Sequence, residues 1–322
     1  MIELDDIRRA ADTIEGVAVR TPVMRSRTLD RLSGVEVFLK CENFQRTGSF
    51  KFRGAYNAVS LLGESQKSAG VITHSSGNHG QALALAAALV SARARIVMPS
   101  GSVALKQEAV RGYGAEVILC DNTLVSREET CAALIESQGL SLVHPYDNEL
   151  VMAGAGTAVL ELIQEAGPLD YLLAPVGGGG LLSGTATAAR GLCQETIVWG
   201  VEPAGADDAL RSFRGGRLVQ QTDPHTIADG LRTSLSARTF EVIRTRVNDI
   251  VTVEEDDIVE AMRFLWQRMK LVVEPSGAVP LAPVLKGMIP ATGKSVRVGV
   301  IISGGNVDPA GFLNSYLSPH YS

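Results

Sequence analysis

Four short segments carry residue types whose spacing could do chemistry. The first, Pro175-Val176-Gly177-Gly178-Gly179-Gly180-Leu181, follows an apolar run and opens a helical pattern. Four consecutive glycines let backbone N–H groups converge, and a helix start adds partial positive charge, so the loop suits a phosphate. It lacks the lysine of a P-loop and does not fit G-x-G-x-x-G, which disfavours a nucleoside triphosphate or a dinucleotide. A tight turn with no ligand is the alternative; four glycines in a row between strand and helix favour phosphate over it. The second segment is Thr47-Gly48-Ser49-Phe50-Lys51-Phe52-Arg53-Gly54-Ala55. A lysine between two aromatics is desolvated, which lowers its pKa toward a usable amine nucleophile. For an isolated F-K-F, a lysine that carries its charge out to the surface is the better reading. The third, His74-Ser75-Ser76-Gly77-Asn78-His79-Gly80-Gln81, sits at a helix start, where Ser and Asn usually serve as N-caps and also suit an anion such as a carboxylate. The fourth, Ile302-Ser303-Gly304-Gly305-Asn306, ends the last apolar run. A glycine turn and a ligand-facing Ser303 are evenly balanced there.

Taken together, a phosphate cradle and a candidate Schiff-base lysine imply a phosphorylated aldehyde cofactor, and pyridoxal 5′-phosphate is the obvious one. The sequence resembles the fold-type II pyridoxal-phosphate enzymes, specifically the threonine/serine dehydratase and serine racemase group. The likeness runs nearly end to end, from Arg20-Thr21-Pro22 through Lys40-Cys41-Glu42-Asn43, the four segments, Val201-Glu202-Pro203 and Glu274-Pro275-Ser276-Gly277. The resemblance implies an α/β fold like that of the tryptophan synthase β chain: two open, mostly parallel twisted sheets flanked by helices. It implies that Lys51 holds the cofactor covalently, with Phe50 beside it, and acts as general base. Asn78 would hydrogen-bond the ring's 3′-oxygen. The N–H groups of Gly177, Gly178, Gly179, Gly180 and Leu181 would bind the phosphate, and Ser303 would face the pyridine nitrogen. Ser75, Asn78 and His79 would lie near the substrate carboxylate, His79 chiefly through its backbone. Ser76 stands where threonine dehydratases typically show Ala and where serine racemases and hydroxyaspartate dehydratases show Ser. It could supply an acid/base on the face opposite Lys51; helix capping is its other role. Glu202, Ala206 and Asp208 are similar to the divalent-cation site of the racemases and would suit Mg²⁺ or Mn²⁺, a solvated acidic turn being the alternative.

The activity that the resemblance implies is that of a dehydratase (ammonia-lyase). It would remove water and ammonia from L-threonine, L-serine or a related 3-hydroxy amino acid to give a 2-oxo acid. The alternatives are a serine racemase with side β-elimination activity and a hydroxyaspartate dehydratase. A non-catalytic binding protein is set against by the intact Lys51. A homodimer is usual in the family.

Such residues must be held by regular elements. Short apolar runs rich in Val and Ile, at 35–39, 70–73, 95–98, 116–119, 142–143, 171–176, 197–201 and 296–302, predict strands. Helical patterns at 55–62, 81–90, 104–112, 125–137 and 182–191 follow several of them. This alternation is the signature of βαβ units around a mostly parallel sheet, whose ligands gather at the C-terminal strand ends. At roughly 150 residues per domain, 322 residues suggest two. By the resemblance these are a large cofactor-binding domain (1–67 plus 147–322) and a small substrate-side domain (68–146). The net charge of −5 and only 5% aromatics argue against a nucleic-acid partner. The longest apolar stretch, 82–90, is far short of a membrane span, and the acidic start Ile2-Glu3-Leu4-Asp5-Asp6 is unlike a signal peptide. The expectation is a cytoplasmic protein acting on a small amino acid. The widely spaced cysteines 41, 120, 131 and 193 read as free thiols, and His74 and His79, five apart, do not share a helical face for zinc.

Overall fold

The computed structural model describes residues 1–75, 77–102, 104–290, 295–310 and 312. Among the described residues ten strands are formed: β1 (Val23–Met24), β2 (Glu36–Cys41), β3 (Val71–His74), β4 (Ala94–Pro99), β5 (Glu116–Cys120), β6 (Ser141–Leu142), β7 (Tyr171–Pro175), β8 (Ile197–Pro203), β9 (Asp249–Val253) and β10 (Arg297–Ile302). Six pair in the order β1-β2-β10-β7-β8-β9 and four in the order β5-β4-β3-β6. The strands of the smaller sheet all lie between residues 71 and 142, while those of the larger come from both sides of that stretch. Every pairing is parallel except β1 with β2. The doubly covered, parallel architecture expected from the near-continuous apolar strands is therefore present. Strands β1 and β9 were not anticipated: β1 is two residues long, and β9 reads D-I-V-T-V, its apolar run interrupted by Asp and Thr.

Helices pack on the sheets so that the site-bearing chain ends are pinned. The central helix Glu149–Ala166 touches both the helix Lys51–Ser60 and the helix Gly180–Leu192. Glycine makes these crossings close. A Cβ on Gly154 would lie 2.6 Å from the Gly54 Cα, and one on Gly156 2.9 Å from the Gly184 carbonyl oxygen. The Lys51 helix also serves the smaller sheet: Phe52, Ala55, Ala58 and Val59 join the apolar cluster that includes Val71, Ala82, Leu83 and Ile96.

Beneath this junction lies a buried ion-pair network. The Arg53 guanidinium donates from Nε to Glu42 Oε2 (2.7 Å), from Nη1 to Glu161 Oε1 (2.7 Å) and from Nη2 to Glu42 Oε1 (2.9 Å). Lys40 Nζ donates to Glu161 Oε2 and to the Thr21 carbonyl, both at 2.6 Å. The network ties β2, the 19–21 segment and the central helix to the helix that begins with Lys51. Among the described residues no helix is long and apolar enough to cross a membrane.

Candidate active site

Lys51 opens its helix just after a left-handed turn at Thr47 (φ 59°) and Gly48 (φ 75°). Its Nζ donates to the Pro145 carbonyl at 3.0 Å and lies 4.9 Å from the centroid of the Phe50 ring. Burial of the amine pushes its pKa from the ordinary 10.5 down to about 8, against an opposing pull from Glu274. Only Phe50 flanks the amine. Phe52 is rotated about 100° around the helix and stacks on Tyr56 inside the smaller sheet's cluster. Of the two neighbouring aromatics that the F-K-F pattern suggested, Phe50 lies against the amine and Phe52 does not, while the Pro145 carbonyl meets it from another loop.

The other segments meet Lys51 through specific bonds. The Phe50 N–H donates to the Ser303 carbonyl (3.0 Å), and Ser49 forms a β-bridge with Gly304. This sets the buried Ser303, at the end of β10, beside the start of the lysine helix. Asn78 begins the helix Asn78–Leu89; its Nδ2 donates to Glu274 Oε1 at 2.7 Å and its Oδ1 accepts from Asn306 Nδ2 at 2.8 Å. The glycine loop reaches Lys51 through Pro145-Tyr146. The Pro145 carbonyl holds the amine, and Tyr146 packs so tightly on the loop that a Cβ on Gly178 would overlap its ring. A Cβ on Gly177 would lie 3.0 Å from the Gly230 carbonyl oxygen, and Gly179 has φ 84°.

Like the Lys51 helix itself, the helices Gly180–Leu192, entered from Gly179, and Asn78–Leu89, entered from Gly77, have no side-chain cap at their starts. An uncapped start leaves backbone N–H groups to be satisfied by an anion or by solvent. Ser75 does not cap; its Oγ accepts from the Gly77 N–H at 3.2 Å. A glycine cradle at one open helix start, a second open helix start at Asn78, and a low-pKa amine close to both segments fit pyridoxal phosphate and an amino-acid carboxylate. Ser76 lies outside the described residues.

Burial holds His74, His79 and His144 neutral. The Nε2 of His79 faces the Val143 carbonyl at 3.0 Å and must donate to it, so the partnerless, buried Nδ1 carries no proton. Burial and the nearby Lys51 push its pKa down to about 3. His74 and His144 stand edge to face at 5.4 Å and both fall to about 4, again mainly by burial. The His144 Nδ1 accepts the Asp147 N–H at 2.9 Å, and the ring packs edge-on against Tyr146. The Arg127 guanidinium is close enough to depress His74 further and to oppose the upward shift of Tyr146.

The expected cation residues sit at the C-terminal end of β8. Glu202 accepts the Leu210 N–H at 2.7 Å and the Ala209 N–H, and burial raises its pKa to about 9. Burial raises Asp208 to about 6, and its Oδ2 is buried without a partner. Ala206 is buried beside them. Among the described residues no three His, Cys, Asp or Glu side chains form a metal cluster. A cation here would need the Ala206 carbonyl and solvent to complete two carboxylates.

Sequence reasoning singled out no role for Pro145, Tyr146, His144, Glu274 or Asn306. The E-P-S-G and S-G-G-N motifs pointed at the last two, and the H-P-Y-D turn between β6 and the central helix was the available signal for the others.

A sequence profile of the pyridoxal-phosphate dependent enzyme family matches residues 14–304. The chain is 50% identical over 306 residues to an L-threo-3-hydroxyaspartate ammonia-lyase of a Pseudomonas species, covering 94% of this chain and 95% of that protein. Its fold superposes on the crystal structure of serine racemase from Dictyostelium discoideum with a TM-score of 0.91 at 45% identity, covering 95% of this chain and 99% of that one. The crystal structure of a threonine deaminase from T.th. gives 0.90, also at 45% identity, with coverages of 95% and 99%. With that profile running through the lysine, asparagine, glycine-loop and serine segments whose geometry converges here, the chain belongs to the family of pyridoxal-phosphate dependent enzymes.

Proposed function

We propose that the chain is an ammonia-lyase of 3-hydroxy amino acids, converting them to 2-oxo acids with release of ammonia. The observation that carries the reading is the desolvated Lys51 amine, bonded to the Pro145 carbonyl beside the glycine loop and close enough to His79 to act on it, with one uncapped helix start suited to the cofactor phosphate and another to a substrate carboxylate. Bound pyridoxal phosphate supplies the electron sink that acidifies the substrate α-carbon. Lys51 would hold the cofactor and, once freed by the incoming substrate amine, would take the α-proton. Asn78 would donate to the ring's 3′-oxygen, Gly177–Leu181 would bind the phosphate through N–H groups, and the neutral hydroxyl of Ser303 would meet the ring nitrogen. Ser75, Asn78 and the His79 backbone would receive the substrate carboxylate. Loss of the β-hydroxyl as water gives an enamine, which hydrolyses to the 2-oxo acid and ammonia. The neutral His79 ring, spent on Val143, holds the helix start in place and moves no proton.

Among 3-hydroxy amino acids, those with a second carboxylate are favoured. Arg127, near His74 and Tyr146, supplies a positive charge on the side of the smaller sheet, and a hydroxyaspartate ammonia-lyase is among the relatives. Racemisation of serine is the second reading, supported by the 46% identity to a Dictyostelium serine racemase. It would require Ser76 as the acid/base opposite Lys51. We further propose that 68–146 forms a small substrate-side domain beside a large cofactor-binding domain of 1–67 plus 147–322, and that Glu202, Asp208 and the Ala206 carbonyl hold Mg²⁺ or Mn²⁺. The test is a panel of L-threo-3-hydroxyaspartate, L-threonine and L-serine, with oxo acid, ammonia and product chirality followed together. Oxo acid formed fastest from hydroxyaspartate supports the reading. D-serine without oxo acid would replace it by the racemase.

A further inference from the structure

Asn78 is an amide whose two ends look alike in shape but differ in chemistry, and a cofactor oxygen needs the nitrogen end. The neighbours decide which end it meets. Asn306 Nδ2 lies 2.7 Å from the Thr47 carbonyl oxygen, and a carbonyl only accepts, so that atom is a donor nitrogen. The same nitrogen lies 2.8 Å from Asn78, and the Asn78 atom facing it is therefore Oδ1. That leaves Asn78 Nδ2 at 2.7 Å from Glu274 Oε1, with its second hydrogen unspent. The Glu274 carboxyl also accepts the Asn306 backbone N–H, which closes the ring of contacts.

The surrounding backbone is shaped to admit these side chains. A Cβ on Gly48 would overlap the Asn306 amide, and one on Gly304 would overlap Glu274 Oε1. Thr47 takes a left-handed conformation (φ 59°, ψ 12°), which is costly for a non-glycine residue and persists where the surroundings hold it. Glu274 itself is buried, with Asp229 and Lys106 the charged groups that act on it besides Lys51.

We propose that Glu274 and Asn306 are positioning residues that fix the Asn78 amide with its nitrogen as donor to the cofactor ring. They act through Asn78, and the proposal rests on Lys51 and Asn78 holding pyridoxal phosphate as set out above. Asn306→Asp keeps the size but cannot donate to both Thr47 and Asn78. Glu274→Leu removes the acceptor, and Glu274→Gln keeps one acceptor oxygen.

The experiment titrates cofactor-free protein with pyridoxal 5′-phosphate and with inorganic phosphate. Thermal melting of the cofactor-free protein and borohydride labelling are followed alongside. Asn306→Asp and Glu274→Leu are expected to weaken pyridoxal phosphate by about ten-fold or more, as for one lost hydrogen bond. Inorganic phosphate, which needs only the glycine loop, is expected to bind unchanged, and Glu274→Gln to stay within about three-fold of wild type. Should Glu274→Leu fail to fold, the near-isosteric Asn306→Asp carries the test. Unchanged cofactor affinity in Asn306→Asp overturns the proposal, as does a loss in Glu274→Gln as large as in Glu274→Leu. A wild type that takes no label on Lys51 would instead overturn the reading of the site itself.

Discussion

The Lys51 amine is where burial translates most directly into chemistry, and pH is the perturbation that reads it. Only the neutral amine attacks an aldehyde, so attachment of the cofactor should follow the fraction of Lys51 that has lost its proton. With the pKa lowered from 10.5 to about 8, roughly one amine in eleven is neutral at pH 7. At the ordinary value the fraction would be about one in three thousand, so the environment raises it roughly 290-fold. The sign is set by the mechanism: lowering the pH protonates the amine and slows capture. Cofactor-free protein mixed with pyridoxal 5′-phosphate should show an absorbance change whose rate rises about 90-fold from pH 6 to pH 9, with its midpoint near 8 and a plateau above. Dividing by the rate of a free lysine derivative removes the cofactor's own titration and the ordinary rise with pH; the ratio should then fall above pH 8. A rate that still climbs about eight-fold between pH 9 and pH 10 is that of an ordinary surface lysine. It would refute the desolvation argument.

Two further outcomes follow from buried charge. Arg53→Met strands Glu42 in the core without its partner, a change of about 3–5 kcal/mol. At about 2.1 cal/mol/K per residue over 322 residues, this should lower the melting temperature by about 4–7 °C in scanning calorimetry; a shift under about 1 °C would show that the network bears little load. At the end of β8, a chelator should lower the melting temperature of wild type and leave Asp208→Ala unmoved, because a cation bound only to the folded chain stabilises it by mass action. Equal behaviour of the two proteins would reduce Glu202 and Asp208 to a helix-capping acidic turn.

Much of this architecture is legible in the residue order because parallel strands covered on both faces are nearly unbroken apolar runs. Strands β4, β5, β8 and β10 stand within two residues of where Val and Ile cluster. The glycine loop is legible for a related reason, since four glycines between strand and helix have few structural uses. The helix Glu149–Ala166 is absent from the helical patterns read in the sequence; its Gly154 and Gly156, which disfavour a helix interior, are the points where neighbouring helices cross. Pro145 was hidden more deeply, for it contributes a backbone carbonyl to Lys51, and a carbonyl has no residue-type signature. Glu274 was visible as a motif, but its role depends on Asn78, 196 residues away in the chain. Pairings at that separation are set by topology and leave no local pattern.

The lysine that carries the cofactor is the most direct test of the site. Borohydride makes the cofactor–lysine bond permanent, and peptide mapping by mass spectrometry then locates the pyridoxyl group. The account predicts one pyridoxyl group per chain, on Lys51, in the purified yellow protein and none in Lys51→Ala. A pyridoxyl group on another lysine, or a wild-type protein that takes up no pyridoxal phosphate, would contradict it.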